Sequence, residues 1–452
     1  LLPLQVVVLV LGLLLLSQPV PYIEAVIPVD VEPRYLHWIG LHDKVYCACM
    51  HNGRMAVING SSNSLEGTFD VGLGPQDMYY DSVNGRLLLA NRLDSTVMVI
   101  DPALNTVTDT IRFAGMPSAF GHNLVQQRLY VALYDLDQVA VLQAAGLERI
   151  ATIRTGRTPV AVVWNPNGDK IYVANEYGAT VQVFSGRSHG VLANIPAGRL
   201  AVKAWLDMAE NRLWVLNYAS EDLTVIDCST DVWVDTVAVG VGPAGLAYWE
   251  RGRALYVSNS ISNTLTKVDL ATNTTTTIPV GYRPSAMAVD EPNGWLLVCV
   301  EGENQVKILD CNGDSVMYAL EPGRLPVDLA WNPGHSRCYV ADFYDNTVAV
   351  IRNPVGIAEP ARPTARSGLR VCPSVLARGR PVSVTWNDDA GSGARVLVRD
   401  ESGRTVAEIQ GDSGWAMWDG RDRSGRSLPA GVYFVEVRSP RMAATARVNL
   451  LG

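Results

Sequence analysis

Lys170-Ile171-Tyr172-Val173-Ala174-Asn175-Glu176-Tyr177-Gly178-Ala179-Thr180-Val181-Gln182-Val183-Phe184 is the stretch whose reading decides the fold. It holds two apolar runs rich in β-branched and aromatic residues, separated by a short polar turn, which is the pattern of a β-hairpin. Working outward, the tetrad Tyr172-Val173-Ala174-Asn175 recurs in degenerate form with first residues Tyr46, Leu88, Tyr130, Tyr172, Trp214, Tyr256, Leu297 and Tyr339. The spacing is 42 residues throughout, except for 41 between Tyr256 and Leu297. A fixed period of this length marks stacked units that cannot bury their apolar faces alone.

Thirteen residues before each tetrad stands Pro33, Pro75, Pro117, Pro159, Pro243, Pro284 or Pro326, with Ala201 as the exception. A short apolar strand follows, as in Val160 to Trp164, then a polar turn, as in Asn165 to Asp169. A third strand begins nine residues after the start of the tetrad, and a fourth ends in glycine, as in Asp235 to Gly240. Four antiparallel strands per repeat with no helical pattern fit a β-propeller blade and fit a leucine-rich or helical solenoid badly. The first strand carries small residues at Ala119, Ala161, Gly245 and Ala286, which suit the crowded inner end of a blade, so it is placed next to the axis. The first three strand types occur eight times, and the fourth seven times between Gly72 and Gly323. Ala25 to Asp30 repeats the wording of a fourth strand and is expected to pair with Val348 to Ile351, closing the ring. The expectation is an all-β chain with an eight-bladed propeller of four-stranded blades, seven blades plus a displaced partial repeat being the alternative.

Y-V-A-N followed by T-V-x-V-[ID] and V-G-x-x-P is similar to the pattern of the YVTN family of β-propeller repeat proteins, over about Ala25 to Arg352. Cys49, Leu133 and Val300 replace the tetrad Asn in repeats one, three and seven. The resemblance implies an extracytoplasmic or cell-surface propeller, in a family mostly without assigned chemistry.

The hydrophobic fraction is 48% and the net charge −8, with 32 Arg and 5 Lys. No broad basic surface suggests nucleic acid as a partner. Residues 1–360 carry 23 basic and 36 acidic side chains, and residues 361–452 carry 14 Arg, no Lys and 9 acids, a shift that suggests a boundary near 360. Leu1 to Leu16 is almost wholly apolar and precedes Ser17-Gln18-Pro19, which reads as the core of a secretory signal; sixteen residues are short for a membrane span, an uncleaved anchor being the alternative. The division is 1–22 signal segment, 23–352 propeller, 353–369 proline-containing linker and 370–452 a second module, with the membrane met only through the first segment. Seven cysteines at scattered strand positions argue against a disulfide framework, and no zinc or haem-attachment spacing is present. No cofactor or metal is expected.

In the second module, strand-like runs at Pro381 to Trp386, Ala394 to Val398, Val432 to Val437 and Ala444 to Leu450 fit a small β-sandwich. Asp400-x-x-Gly403-Arg404, Trp418-Asp419-Gly420-Arg421-Asp422-x-x-Gly425-Arg426 and Pro429-x-Gly431-x-Tyr433 resemble the immunoglobulin-like module of flagellar hook-capping proteins and the C-terminal sorting domains of type IX secretion substrates. That resemblance implies an immunoglobulin-like fold and a partner in secretion or surface-attachment machinery; a structural cap or spacer is the alternative.

In an up-and-down blade the two-to-three and four-to-one turns emerge at the same end. The former hold Tyr134, Asp135, Glu176, Tyr177, Tyr218, Glu221, Glu301, Glu303, Phe343, Tyr344 and Asp345, and the latter Arg157, Arg199, Tyr282, Arg283 and Arg324. Guanidinium groups and tyrosines on a concave ring suit a protein, peptide or anionic glycan ligand. The binding set is expected to be Arg157, Arg199, Arg283, Arg324, Tyr134, Glu176, Tyr177, Tyr218, Tyr282, Glu301, Tyr344 and Asp345. Asp77, Lys203 and Asp328 replace the small first-strand residue and are expected to line the channel. No catalytic constellation stands out, so a non-enzymatic binding propeller is the leading expectation; a lactonase- or lyase-like enzyme and a subunit of an electron-transfer complex are the alternatives.

Overall fold

The computed structural model describes residues 20–353 and, after them, 370–372, 375–376, 382–385, 395–400, 404–410, 415–423, 426–428, 431–438 and 443–450. The apolar segment before residue 20 and all of the expected linker except Asn353 lie outside the described residues. The chain divides into two compact units, 1–357 and 358–452.

The first unit is a ring of eight four-stranded antiparallel sheets. Blades 1 to 7 begin at Pro33, Pro75, Pro117, Pro159, Ala201, Pro243 and Pro284, each running through four consecutive strands. Blade 8 takes three strands from Pro326–Asn332, Arg337–Asp342 and Thr347–Arg352, and its fourth from Tyr22–Pro28. The closing pairing runs from Tyr22 opposite Arg352 to Pro28 opposite Thr347, so the strand starts three residues before the expected Ala25. Eight blades are present, which excludes the seven-bladed alternative.

Burial follows the radial order. Second and third strands are covered on both faces, as in Lys170–Asn175 and Asp222–Asp227, because each sheet is sandwiched between two others. Fourth strands such as Ser64–Asp70 are largely exposed and form the outer rim. First strands of consecutive blades lie side by side around the axis, and Pro326–Asn332 against Pro33–Ile39 completes the circle. The constant proline opens that inner strand, where the lack of an N–H costs no ladder bond, and a bulge follows it, as between Pro159 and Ala161. The 41-residue interval also has a physical counterpart. Blades 1 to 5 and 7 carry a bulge between third and fourth strands, as at Val183/Phe184, and blade 6 pairs Thr264–Val268 with Thr275–Pro279 without one. The missing residue is the extra residue of a bulge.

At the end opposite the mouth, a tetrad tyrosine latches blades 1, 3, 4, 6 and 8 to the next blade. Tyr172 donates to Asp231 Oδ1 at 2.5 Å and Cys228 O at 3.3 Å, and Lys170 Nζ to the same two residues at 2.7 and 2.9 Å. Lys44 with Tyr46 makes the equivalent contact with Pro102 and Asn105. Arg337 with Tyr339 makes it with Gly60, Ser61 and Asn63 across the closure. The cysteines Cys47, Cys49, Cys228, Cys299, Cys311 and Cys338 are free and buried, as small apolar fillers between blades.

The second unit has a three-stranded sheet, Arg370–Cys372, Val382–Thr385 and Trp415–Trp418, and a five-stranded sheet, Val375–Leu376, Ala443–Leu450, Gly431–Arg438, Arg395–Asp400 and Thr405–Gln410. Val384, Ala416 and Trp418 of one sheet share a core with Val396, Val398, Tyr433, Val435 and Val448 of the other, which makes a β-sandwich. Its D-x-x-G-R turns close the same way twice. Arg404 donates N–H and Nε–H to Asp400, both at 3.0 Å, and Arg426 does so to Asp422 at 3.0 and 3.2 Å. No helix among the described residues is long and apolar enough to cross a membrane.

Candidate functional site at the mouth of the ring

One backbone bond recurs in every blade and builds the mouth. The residue after the tetrad donates its N–H to the carbonyl of the residue before the first strand: Met50 to Glu32, Arg92 to Gly74, Tyr134 to Met116, Glu176 to Thr158, Tyr218 to Leu200, Ser260 to Gly242, Glu301 to Arg283 and Phe343 to Leu325, at 2.7–3.0 Å. Two-to-three and four-to-one turns therefore do share one end of the ring. The tetrad Asn supports this junction from beneath. Its carboxamide lies so close to the four-to-one glycine that a Cβ on Gly156 would stand 2.8 Å from Asn175 Nδ2, and on Gly198 2.5 Å from Asn217 Nδ2. Where Cys49 and Leu133 replace Asn, the glycine is also gone, as Asp30 and Ala114.

Between blades 2 and 5 the mouth encloses a cavity of about 280 Å³, lined by Gln76, Arg92, Ser118, Tyr134, Val160, Glu176, Ala201 and Val202. Tyr134 and Glu176 belong to the expected binding set; Arg92, Gln76 and Ser118 do not. The Arg92 guanidinium stacks on the Tyr134 ring, 3.7 Å from its centroid. Loss of solvent raises the pKa of the Tyr134 hydroxyl; hydrogen bonding to Glu176 pushes the same way and to Arg92 the opposite way, so all three side chains meet there. Neither Arg92 nor Glu176 has an oppositely charged side chain within 4.0 Å among the described residues.

The four expected mouth arginines are engaged within their own blades. Arg157 lies over Tyr177, 5.5 Å from the ring centroid, and Arg199 donates to Ala219 O at 3.3 Å. Arg283 pairs with Glu301 at 3.1 Å. Arg324 holds Asp345 through Nε at 2.6 Å and its backbone N–H at 2.7 Å, which keeps the Asp345 carboxyl below its usual range. Tyr177, Tyr218, Tyr282 and Tyr344 are exposed.

Below the mouth, Asp77 and Asp328 reach across to neighbouring inner strands. Asp77 accepts from Phe120 N–H at 3.3 Å and Asp328 from Leu36 N–H at 2.8 Å, so each staples two blades. Removal from water raises Asp77 to about 7 and Asp328 to about 6, against the opposing charge of Lys203, which acts on both. Among the described residues no group of three or more His, Cys, Asp or Glu is placed to hold a metal ion.

Fold and site together define an eight-bladed β-propeller with a small amphoteric cavity at its mouth. A solved structure of Kuenenia stuttgartiensis hydrazine synthase is similar to it in fold, with a TM-score of 0.51 and 19% sequence identity over 62% of this chain and 96% of that chain. No family model and no curated protein matches the sequence.

Proposed function

We propose that this chain is an exported, non-enzymatic propeller of the YVTN type that binds a protein, peptide or glycan ligand at the mouth cavity, with the C-terminal sandwich, immunoglobulin-like, serving secretion or surface attachment. The observation that carries the reading is the Arg92-Tyr134-Glu176 set, which offers stacking surface and charged hydrogen-bonding groups with no partner of opposite charge within 4.0 Å among the described residues. Side chains in closed polar networks are spent on cohesion, and groups left facing a cavity are available to a ligand. A peptide and glycan array probed with the parent and with Tyr134→Ala tests it. We expect binding by the parent and a loss of tenfold or more in the variant at unchanged melting temperature; equal binding by both overturns the mouth as the site. For the sandwich, deletion of 370–452 is expected to abolish export or surface retention, and normal export and retention without it would leave a spacer.

A second reading, an enzyme, is favoured by one observation: Asp77 and Asp328, which bond the neighbouring inner strands, have carboxyls raised toward neutral pKa by loss of solvent, a state common at catalytic sites. The fold neighbour is also named as an enzyme. Their stapling bonds to Phe120 and Leu36 give them a structural role already. Turnover that vanishes in Asp77→Asn with ligand binding intact would support the enzyme.

A further inference from the structure

We propose that the mouth cavity is a receptor for a small zwitterion of the amino-acid type, with its carboxylate on Arg92, its ammonium on Glu176 and a small apolar side chain against Val160 and Val202. This deepens the reading above and rests on the mouth being the binding site.

Arg92 and Glu176 both meet the Tyr134 hydroxyl, and among the described residues neither has a side chain of opposite charge within 4.0 Å. Arg92, Tyr134 and Glu176 occupy the same position in blades 2, 3 and 4, the first residue after the tetrad. In blade 7 the same position holds Glu301, and it is neutralised by Arg283 at 3.1 Å. Another mouth arginine, Arg324, is neutralised by Asp345. Around the cavity that local neutralisation does not occur: the turns that precede the first strands of blades 2 and 4 supply Gly74 and Thr158 where blade 7 supplies Arg283. One cation and one anion thus line the same hollow, separated by the Tyr134 side chain standing between their blades. The Arg92 guanidinium is held over the Tyr134 ring, and a guanidinium fork is suited to bidentate contact with a carboxylate. Ser118 and Gln76 stand beside it as neutral hydrogen-bonding groups.

Size and lining narrow the class. About 280 Å³ is at the small end of ligand pockets and takes one residue-sized group, so a longer peptide would enter it by a single residue. Val160, Ala201 and Val202 supply an apolar wall on the side of blades 4 and 5. A purely anionic ligand would meet Glu176 without compensation, and a purely cationic one would meet Arg92; a ligand carrying both charges satisfies both.

Titration calorimetry with the full chain and four probes decides it: L-valine, N-acetyl-L-valine, L-valinamide and sodium isobutyrate. L-valine is expected to bind, and loss of either charged end to weaken it tenfold or more. Arg92→Gln should remove the penalty for the amide, and Glu176→Gln the penalty for the acetyl cap, with thermal unfolding confirming that both variants are folded. If Arg92→Gln unfolds, Arg92→Lys replaces it, with the expectation of reduced but charge-dependent binding. Equal affinity for capped and free probes, or penalties unchanged in the variants, overturns the proposal. Tight isobutyrate binding with no gain from the ammonium would mean an anion receptor. If no probe binds and Tyr134→Ala still abolishes array binding, the zwitterion is wrong and the mouth reading stands; if Tyr134→Ala leaves array binding intact, the mouth reading fails as well.

Discussion

The two ends of the ring use similar residues in opposite ways. At the far end, Lys170 with Tyr172 is locked to Asp231 and Cys228 of the next blade, and the same cation-tyrosine pair recurs at Lys44 with Tyr46 and at Arg337 with Tyr339. At the mouth, Arg92, Tyr134 and Glu176 have comparable chemistry, yet among the described residues the two charges have no opposite charge within 4.0 Å. Polar groups bonded across blades stabilise the ring, and those left facing a cavity are available to bind. Perturbing the far end should therefore change stability, and perturbing the mouth should change binding.

The largest effect is expected from removing residues 1–31, which takes away the closing strand and the Glu24 carboxylate that holds Arg337 at 2.6 Å. An unpaired blade edge and exposed apolar surface should cost roughly 4 kcal/mol or more in denaturant unfolding. A truncated chain that unfolds at the same denaturant concentration would refute closure by this strand.

Asp342 provides the next effect, because it occupies the tetrad Asn position in blade 8, against Gly323. Burial, reinforced by repulsion from Asp345, raises it to about 8, while the Thr347 hydroxyl opposes the shift. The folded chain holds this proton after the unfolded chain has released it, so stability falls as pH rises from about 4 to about 8 and stays low above that. Asp342→Asn introduces the amide found in blades 2, 4, 5 and 6 and should stabilise the protein by roughly 2–3 kcal/mol at pH 8, with little change at pH 4. Melting curves across that window measure it, and parallel curves for parent and variant would show Asp342 to be ionised.

Tyr172→Phe removes a hydroxyl bonded to Asp231 and Cys228 and should cost about 1–2 kcal/mol, leaving mouth binding unchanged. Reduced binding in this variant would blur the division between the two ends. The smallest effect belongs to the exposed mouth arginines. Arg199→Ala and Arg324→Ala should each change stability by about 0.5 kcal/mol or less, since exposed pairs contribute little. A larger loss for Arg324 would mean that its contact with Asp345 holds the turn.

Within the propeller, features set by near neighbours were legible in the sequence. Blade number, strand order and closure followed from the tetrad, the proline thirteen residues before it and the phase of Ala25 to Asp30, because hairpin chemistry acts over a few residues. The shared end of the two turn types was legible too, since it follows from up-and-down topology. Asp77, Lys203 and Asp328 were singled out as exceptions in a column of small residues. Arg92 escaped notice, although aligning the residue after each tetrad would have exposed it beside Tyr134 and Glu176.

The sequence by itself thus determined the repeat, the eight blades and which columns of residues reach the mouth, because each depends on periodicity and local turn geometry. Tertiary structure alone decided which members of those columns remain unpaired. Arg283 pairs with Glu301 in blade 7, whereas Arg157, in the corresponding turn of blade 4, lies over Tyr177 and not against Glu176, a difference of side-chain position in space. The physical reason is that Coulomb and hydrogen-bond energies depend on separation and burial in space, and neither quantity is written in the order of residues along the chain.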